Sequence, residues 1–313
     1  MSWQNVLLSG FLKRRVRALR HSPLDVASVR AGAEKMVWSA RPATGWAIKT
    51  AQDLAPDTGA AIPGEWIGPS SPRLLETSRR IVLYLHGGGY FFCSPRTHRA
   101  VTCKLARRAL ARVCAPDYRL APEHPAPAAL EDALRVWHAI LASGERAEQI
   151  VVAGDSAGGG LALALLQALR DAGEPMPAAG VLFSPWTDLA LTGATLVSNA
   201  ERDVLMDGQG LRDATSLVLG PDGLDARDPR ISPLYGDFHG LPPLLIQASD
   251  SEMLLDDARR VAERAREAGV EVTLSMTPRV PHAWQMFAPV LPEGRRAIEE
   301  AARFIKRHTH RHA

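Results

Sequence analysis

The chain has 313 residues, of which 46% are hydrophobic and 23% are charged, and its formal net charge is +3. This composition is typical of a soluble globular protein with room for one large α/β domain and a lid, and it excludes a disordered or fibrous chain. The basic residues are scattered and nearly all arginine, so no nucleic-acid-binding surface is indicated. Cys93, Cys103 and Cys114 lack metal-ligand spacing and are predicted to be free buried thiols in a reducing compartment.

The N-terminal segment, Met1 to Arg20, carries short apolar runs at Val6–Leu8 and Phe11–Leu12, followed by the basic run Lys13–Arg15. A secretory signal has the opposite order, with its basic residues before the apolar core. No stretch of the sequence is long enough to span a membrane. We therefore expect a cytoplasmic protein whose first segment is an amphipathic helix packed on its own domain. A helix that lies on a membrane surface is the alternative.

A glycine-rich loop follows the first strongly predicted strand. The segment from Gly45 to Arg80 is mixed, with an edge-strand candidate at Ala61–Gly68, and then Ile81–Leu85 has the composition of a buried strand. This strand leads directly into His86-Gly87-Gly88-Gly89. Because glycine lets the backbone approach a ligand closely, the N–H groups of this loop could hold an anion. A flexible surface loop is the alternative interpretation.

A serine lies at the tight turn Gly154-Asp155-Ser156-Ala157-Gly158, between a β-branched strand and an Ala/Leu-rich helix. The G-x-S-x-G pattern is typical of a strained turn that lifts a nucleophilic hydroxyl clear of the sheet. The Ala157 N–H, at the positive end of the helix, could stabilise a negative charge beside it. An ordinary glycine-rich connection is an alternative, and a phosphate-binding turn is disfavoured because no P-loop or dinucleotide fingerprint is present.

Strands and helices alternate along most of the chain, which predicts an α/β fold with a parallel, doubly wound sheet and helices on both faces. The alternation lapses between about 188 and 233, where helical fragments and turns replace it. Such a long insertion is usually functional. The predicted strands after 81–85 are 113–118, 150–153, 179–183, 243–248 and 270–276, and the predicted helices are 97–110, 128–142, the segment after the serine turn to about 173, the segment after the acidic loop to about 269, and 295–306.

Three ordered motifs, His86–Gly89, Asp117–Pro125 and Gly154–Gly159, resemble the hormone-sensitive-lipase-like group of α/β-hydrolases, the family IV bacterial carboxylesterases. The resemblance runs from about Ile81 to the C-terminus. It implies the α/β-hydrolase fold with a helical cap, and an esterase that hydrolyses short- to medium-chain carboxylic esters through an acyl-enzyme without a cofactor. The segment from Tyr118 to Pro125 is predicted to be an architectural turn.

A serine, an acid and a histidine occur in the chain order typical of α/β-hydrolases. Ser156 is the predicted nucleophile, and His282 is the predicted base that takes the serine proton and returns it to the leaving alcohol. A carboxylate fixes the tautomer of the imidazole. The predicted oxyanion hole consists of the backbone N–H groups of Gly88, Gly89 and Ala157.

The acid lies in the loop Ser249–Asp257, which contains two candidates, Asp250 and Glu252. Aspartate is the commoner triad acid, and Asp250 directly follows the strand. The family pattern, an acid followed by x-Leu-x-Asp-Asp/Glu, instead falls on Glu252. We therefore predict Glu252 as the acid, with Asp250 as the competitor, and Asp256 and Asp257 as first-turn helix residues.

The resemblance also implies a domain organisation. Residues 1–45 are predicted to be N-terminal cap helices, residues 46–188 and 227–313 the catalytic domain, and residues 189–226 the cap insertion. Candidates for the acyl pocket in the insertion are Met206, Leu211, Leu217 and Leu219. His308, His310 and His312 are predicted to form a disordered polar tail, with a metal site as the less favoured alternative.

The expected partner is a small-molecule ester, with no nucleic acid, no membrane span and no metal. A homodimer is left open. The same fold and triad also serve acyltransferases, lactonases and peptidases, which remain alternatives. A non-catalytic ligand-binding protein, similar to plant hormone receptors that lack the histidine, is disfavoured because His282 is present.

Overall fold

The computed structural model describes residues 1–19, 24–35, 42–56, 59–71, 75, 78–221 and 223–309. Its centre is an eight-stranded sheet with the strand order β1-β2-β4-β3-β5-β6-β7-β8. The strands are β1 Trp46–Ala51, β2 Gly64–Pro69, β3 Arg80–Leu85, β4 Ala111–Pro116, β5 Ile150–Asp155, β6 Ala179–Phe183, β7 Leu244–Ser249 and β8 Val272–Thr277. Strand β2 pairs antiparallel with β1 and with β4, and all the other pairs are parallel.

Helices cover both faces of the sheet, as the α/β alternation predicts. The helices are α1 Trp3–Leu19, α2 Val26–Lys35, α3 Arg99–Ala109, α4 Ala128–Ala142, α5 Ala157–Asp171, α6 Thr195–Ser198, α7 Gly208–Leu219, α8 Leu255–Glu267 and α9 Pro292–His308. Helices α3 and α9 pack on one face, where Leu105 and Ile305 join the buried cluster under the sheet. Helices α4, α5 and α8 pack on the other face, in a cluster that includes the fully buried Trp137.

The predicted fold class is confirmed, because six neighbouring strands are parallel and the sheet is doubly wound. The predicted strands and helices of the core all occur, with boundaries shifted by a few residues. Strand β1 was not predicted. It is an edge strand with no fully buried residue, so its sequence lacks the apolar run that marks the inner strands.

The carboxyl ends of the parallel strands meet at one edge of the sheet, where ligands bind in open α/β folds. The serine turn follows β5, the acidic loop follows β7 and the loop with His282 follows β8. Strand β6 lies between β5 and β7, and β8 is next to β7. Three loops that are far apart in the sequence are therefore neighbours in space.

Helix α1 packs on the rest of the chain, as expected, but it buries only part of its apolar residues. Leu12 is buried against Val280 and Trp284, and the buried Asn5 donates its side-chain N–H to the Arg279 carbonyl over 2.8 Å. The apolar residues of α1 therefore lie on two sides of the helix: Leu12 is on the buried side, and Phe11 is on the exposed side. The helix is thus anchored by its polar and inner apolar side.

The C-terminal end also differs from the expectation. His308 belongs to α9, where its ring lies 4.3 Å from that of Phe304, and only 13% of its side chain is exposed. His310 and His312 lie outside the described residues.

Three further properties of the described residues bear on function. The described residues contain no cluster of metal-ligating side chains and no helix long and apolar enough to cross a membrane. The thiols of Cys93, Cys103 and Cys114 are free, and Cys93 is only partly buried.

Candidate active site

Ser156 occupies a turn that only glycine neighbours permit. It lies between the end of β5 and the start of α5, with φ 53° and ψ −123°, a left-handed conformation that costs energy for a residue with a Cβ. A Cβ on Gly154 would collide with the carbonyl of Gly158, and a Cβ on Gly158 would collide with the carbonyls of Leu85 and His86. The two glycines of the motif are therefore required by close backbone contact.

The glycine-rich loop offers unpaired N–H groups beside this turn. The Gly87 N–H donates to the Asp155 carboxylate over 3.1 Å, and the Gly88 carbonyl accepts the N–H groups of Phe91 and Phe92, each at 3.0 Å. Within the described chain, the N–H groups of Gly88, Gly89 and Ala157 have no hydrogen-bond acceptor. The N–H of Ala157 also opens α5, where the helix dipole favours negative charge.

His282 contacts Glu252. Its Nδ1 lies 2.7 Å from Glu252 Oε2, and its buried Nε2 has no partner among the described residues. The other oxygen of Glu252, Oε1, accepts the Ser249 N–H over 2.8 Å. Burial lowers the pKa of His282, but the hydrogen bond to and charge of Glu252 outweigh it, so the pKa lies above its ordinary value.

Asp250, the competing acid, points elsewhere. Its Oδ1 accepts the Arg279 N–H over 2.7 Å and lies 3.7 Å from the Arg202 guanidinium. About 40% of its side chain is exposed, whereas that of Glu252 is completely buried. Of the two candidates, Glu252 is therefore the carboxylate in contact with His282.

The end of β6 ties the serine turn to the histidine loop, a role that the sequence did not suggest. The Trp186 N–H donates to the Ser156 carbonyl over 2.8 Å. Ser184 Oγ accepts the Ala283 N–H, next to His282, over 3.2 Å. Two residues of one buried segment thus hold the backbones on both sides of the site.

A network of buried hydrogen bonds around the Asp155 carboxylate holds the start of the glycine-rich loop. The Asp155 carboxylate accepts the Tyr84 hydroxyl over 2.7 Å and the Gly87 N–H, and it lies 3.2 Å from His98 Nε2. Burial raises the pKa of Asp155, but the interactions with His98 and Tyr84 more than offset it, so the net pKa is lowered. Asp155 and Gly87 stand in two motifs that the sequence shows, but their contact with each other and with Tyr84 and His98 could not be predicted, because these residues lie far apart in the chain.

His86 is a structural histidine. Its ring stacks on Tyr118 at 4.3 Å, and the Tyr118 hydroxyl donates to the His86 carbonyl over 2.5 Å. Burial lowers the pKa of His86 to about 3, so it is neutral near pH 7. These contacts agree with an architectural role for the segment that begins at Tyr118.

Two segments outside the sheet close over the glycine-rich loop. On one side Arg30, in α2, donates to the carbonyls of Phe91 and Ala121, both at 2.8 Å. On the other side Ala214, in α7, would lie 3.6 Å from a Cβ placed on Gly89. The predicted acyl-pocket candidates lie in the same apolar cluster as Ala214. Leu211 is buried there, and Met206, Leu217 and Leu219 are partly buried.

This arrangement agrees with the similarity of the chain to known proteins. A family model of the alpha/beta hydrolase fold matches residues 82–286. An acetyl-hydrolase of Streptomyces hygroscopicus is 47% identical over 242 residues, which cover 77% of this chain and 79% of that protein. An esterase from the bacterial hormone-sensitive lipase family has a crystal structure that superimposes with a TM-score of 0.89 at 38% identity, covering 99% of both chains.

The chain belongs to the hormone-sensitive-lipase family of α/β-hydrolases. An esterase of Acinetobacter venetianus is also similar, with 38% identity over 228 residues that cover 73% of this chain and 75% of that protein. The relatives are consistently ester hydrolases, and the protein is therefore a carboxylic ester hydrolase. The predicted family and enzyme class are confirmed.

Proposed function

We propose that this esterase hydrolyses short- to medium-chain carboxylic esters through a covalent acyl-enzyme on Ser156. His282 is the general base and acid, and Glu252 is the carboxylate that orients it. The single observation that carries the proposal is the state of the His282 ring, whose Nδ1 contacts a buried carboxylate while its buried Nε2 has no partner among the described residues. A ring held in this way keeps its proton on Nδ1 and can accept one on Nε2.

The reaction follows from these groups. Ser156 Oγ attacks the ester carbonyl carbon while its proton passes to His282 Nε2. When the tetrahedral intermediate collapses, the bond to the alkoxy oxygen breaks and Nε2 returns the proton to the leaving alcohol. A water molecule then gives a proton to Nε2 as it attacks the acyl carbon. When this second tetrahedral intermediate collapses, the bond from the acyl carbon to Ser156 Oγ breaks, Nε2 returns the proton to Oγ, and the carboxylic acid leaves.

The N–H groups of Gly88, Gly89 and Ala157 stabilise the oxyanion in both steps. This role is supported by the observation that none of the three N–H groups has a hydrogen-bond acceptor among the described residues. Donors that are already oriented do not have to reorganise as charge develops, and this makes them effective in a site that excludes water. The network around Asp155 keeps the loop in place.

Residues 1–45 and 189–226 form the cap in this proposal, and residues 46–188 and 227–313 form the catalytic domain. The contacts of Arg30 with the loop after Gly89, and the position of Ala214 above Gly89, support this division. A cap that lies so close to the glycine-rich loop limits the length of the acyl chain that the site accepts. The name of the Streptomyces relative, an acetyl-hydrolase, favours short acyl groups.

The test is Ser156→Ala, compared with Ser216→Ala, which removes an exposed hydroxyl from α7. On nitrophenyl acetate and butyrate, Ser156→Ala should lower kcat by roughly 10⁵–10⁶, because the members of a triad act as a unit. The control variant should keep its activity. Intact mass spectrometry should detect the acyl group on the wild type and not on Ser156→Ala, and near-normal turnover of that variant would refute the mechanism. A lactone, a peptide and an acceptor alcohol in the same assay separate esterase from lactonase, peptidase and acyltransferase.

A further inference from the structure

One side of α1 exposes a group of large apolar side chains. Nine large apolar residues of the described chain are well exposed, and five of them lie within the first eleven residues. Their exposed fractions range from 53% to 70%. The five are Met1, Trp3, Val6, Leu7 and Phe11. A concentration of this kind on one short segment marks a surface that contacts something apolar.

The four of these residues that belong to α1 share one face of the helix. Residues 3, 7 and 11 follow the i, i+4 spacing of a single helix side, while Asn5 and Leu12 occupy the opposite side and are buried. Arg14 and Arg15, in the next turn, are exposed. Helix α1 contains no acidic residue. The face is therefore apolar and aromatic at its start and cationic at its end.

The buried side of α1 packs against the loop that carries His282. Leu12 contacts the cluster of Val280 and Trp284, and Asn5 binds the Arg279 carbonyl. The exposed face is thus attached to the edge of the molecule where the candidate active site lies.

We propose that this face of α1 docks the esterase on an anionic lipid surface. Aromatic and aliphatic side chains with adjacent arginines are the combination by which interfacial helices bind, since the apolar side enters the acyl boundary and the cations meet the headgroups. A second copy of the same face is a poorer occupant, because it would cover the apolar side chains but offer the arginines no acidic partner on α1, whereas an anionic surface provides one.

The experiment is co-sedimentation of the full chain with vesicles of phosphatidylcholine alone or mixed with phosphatidylglycerol. Binding should be about tenfold stronger to the anionic vesicles, since each basic residue near such a surface strengthens binding severalfold. The double variant Leu7→Ser, Phe11→Ser should lose binding. Leu75→Ser, which changes an exposed leucine in the segment before β3, should retain it.

Three results would overturn the proposal: no binding of the wild type to anionic vesicles, equal binding of the double variant, or a wild-type dimer that the double variant converts to a monomer. Hydrolysis of nitrophenyl acetate by each variant verifies its folding. Vesicle binding is measured without turnover, so this outcome is independent of the serine mechanism.

A different observation concerns the insertion at residues 189–226. Three of its side chains form hydrogen bonds with the backbone of the loop that carries Glu252. Thr195 Oγ1 donates to the Met253 carbonyl over 2.9 Å. Asn199 Nδ2 donates to the Glu252 carbonyl over 2.9 Å. Asp203 Oδ2 accepts the Met253 N–H over 2.8 Å. The peptide bond that follows Glu252 is thereby held at both its carbonyl and its N–H by a segment some fifty residues earlier in the chain.

Asp203 is also a buried charge near the imidazole. Its side chain is almost inaccessible to solvent, and its Oδ1 accepts the N–H groups of Leu205 and Met206. The carboxylates that act electrostatically on His282 are Glu252 from the acid loop, Asp203 from the insertion and Asp155 from the end of β5.

Resting on the proposed function, we infer that Asp203 is a positioning residue for the triad. It holds Met253, and through it Glu252, against His282, and its negative charge favours the imidazolium that forms during catalysis.

The test is the pH dependence of kcat/KM for Asp203→Asn, with Asp207→Asn as the control. Asp207 caps α7 in the same insertion. Loss of the Asp203 charge removes a group that favours the protonated form of His282. The acid limb of the kcat/KM profile should therefore move to lower pH, and kcat should fall, whereas the control should leave the limb in place. The position of the limb does not depend on the fraction of folded enzyme. An unmoved limb in Asp203→Asn overturns the inference, whereas activity in Ser156→Ala overturns the proposed function itself.

Discussion

Replacement of Glu252 by glutamine tests the proposed triad most sharply, because the two oxygens of Glu252 have different partners. Oε1 accepts the Ser249 N–H over 2.8 Å, and Oε2 faces His282 Nδ1 at 2.7 Å. The glutamine carbonyl has to replace Oε1, since only an oxygen can accept the Ser249 N–H. The amide NH₂ then points at Nδ1. This forces the imidazole proton onto Nε2, the tautomer that cannot accept the serine proton.

The expected loss follows from this tautomer. A triad whose carboxylate is replaced by an amide loses about 10³–10⁴ in kcat, which corresponds to about 4–5.5 kcal/mol at about 1.36 kcal/mol per decade. The matched control is Asp250→Asn, where the amide oxygen can still accept the Arg279 N–H. Its kcat should change by less than about tenfold, as expected for a group that does not touch His282.

The assay is hydrolysis of nitrophenyl butyrate from pH 5 to 9, with thermal unfolding to verify that both variants are folded. If Glu252→Gln retains more than about a tenth of wild-type kcat, the tautomer argument is wrong, because that argument requires a loss of several decades. If Asp250→Asn loses more activity than Glu252→Gln, the acid is Asp250.

Three further predictions concern the same site. Gly89→Ala should lower kcat by roughly 10²–10³, the cost of a displaced oxyanion donor, because its new Cβ would meet the Phe91 ring at 3.0 Å; unchanged kcat in a folded variant would contradict the role of the loop. The acid limb of kcat/KM should have its midpoint above 6.5, because the folded-state pKa of His282 is raised and only the neutral ring accepts the serine proton; a midpoint below 6.5 in a pH titration would contradict this. Ala214→Phe should lower kcat/KM for octanoate relative to acetate by about tenfold, since a larger side chain this close to Gly89 should leave less room for a long acyl chain, and an unchanged ratio would remove α7 from the proposed acyl pocket.

The motifs alone indicated most of the proposed catalytic site. The G-x-S-x-G turn and the glycine block after β3 could be recognised because close backbone contact and left-handed φ leave few residue choices. The alternation of strands and helices determined a doubly wound sheet, since parallel strands need helical crossovers. The order of serine, acid and histidine indicated the type of site.

Local sequence could not determine contacts between distant segments. It left Asp250 and Glu252 as competing acids, and the difference appears only when the loop after β8 brings His282 to Glu252. The contribution of the insertion to the acid loop, through Asn199 and Asp203, was equally invisible. Hydrogen bonds to backbone groups depend on where the backbone goes and leave no periodic pattern in the sequence.

The N-terminal helix shows the same division. Its amphipathic sequence determined that α1 is a helix, because apolar residues recur at helical spacing. Only the packing of Asn5 and Leu12 against the histidine loop decided which side is buried and left Trp3, Leu7 and Phe11 exposed. The periodicity of a sequence shows which residues share a face of a helix. Which of those faces is buried depends on the segments that the tertiary structure places beside the helix.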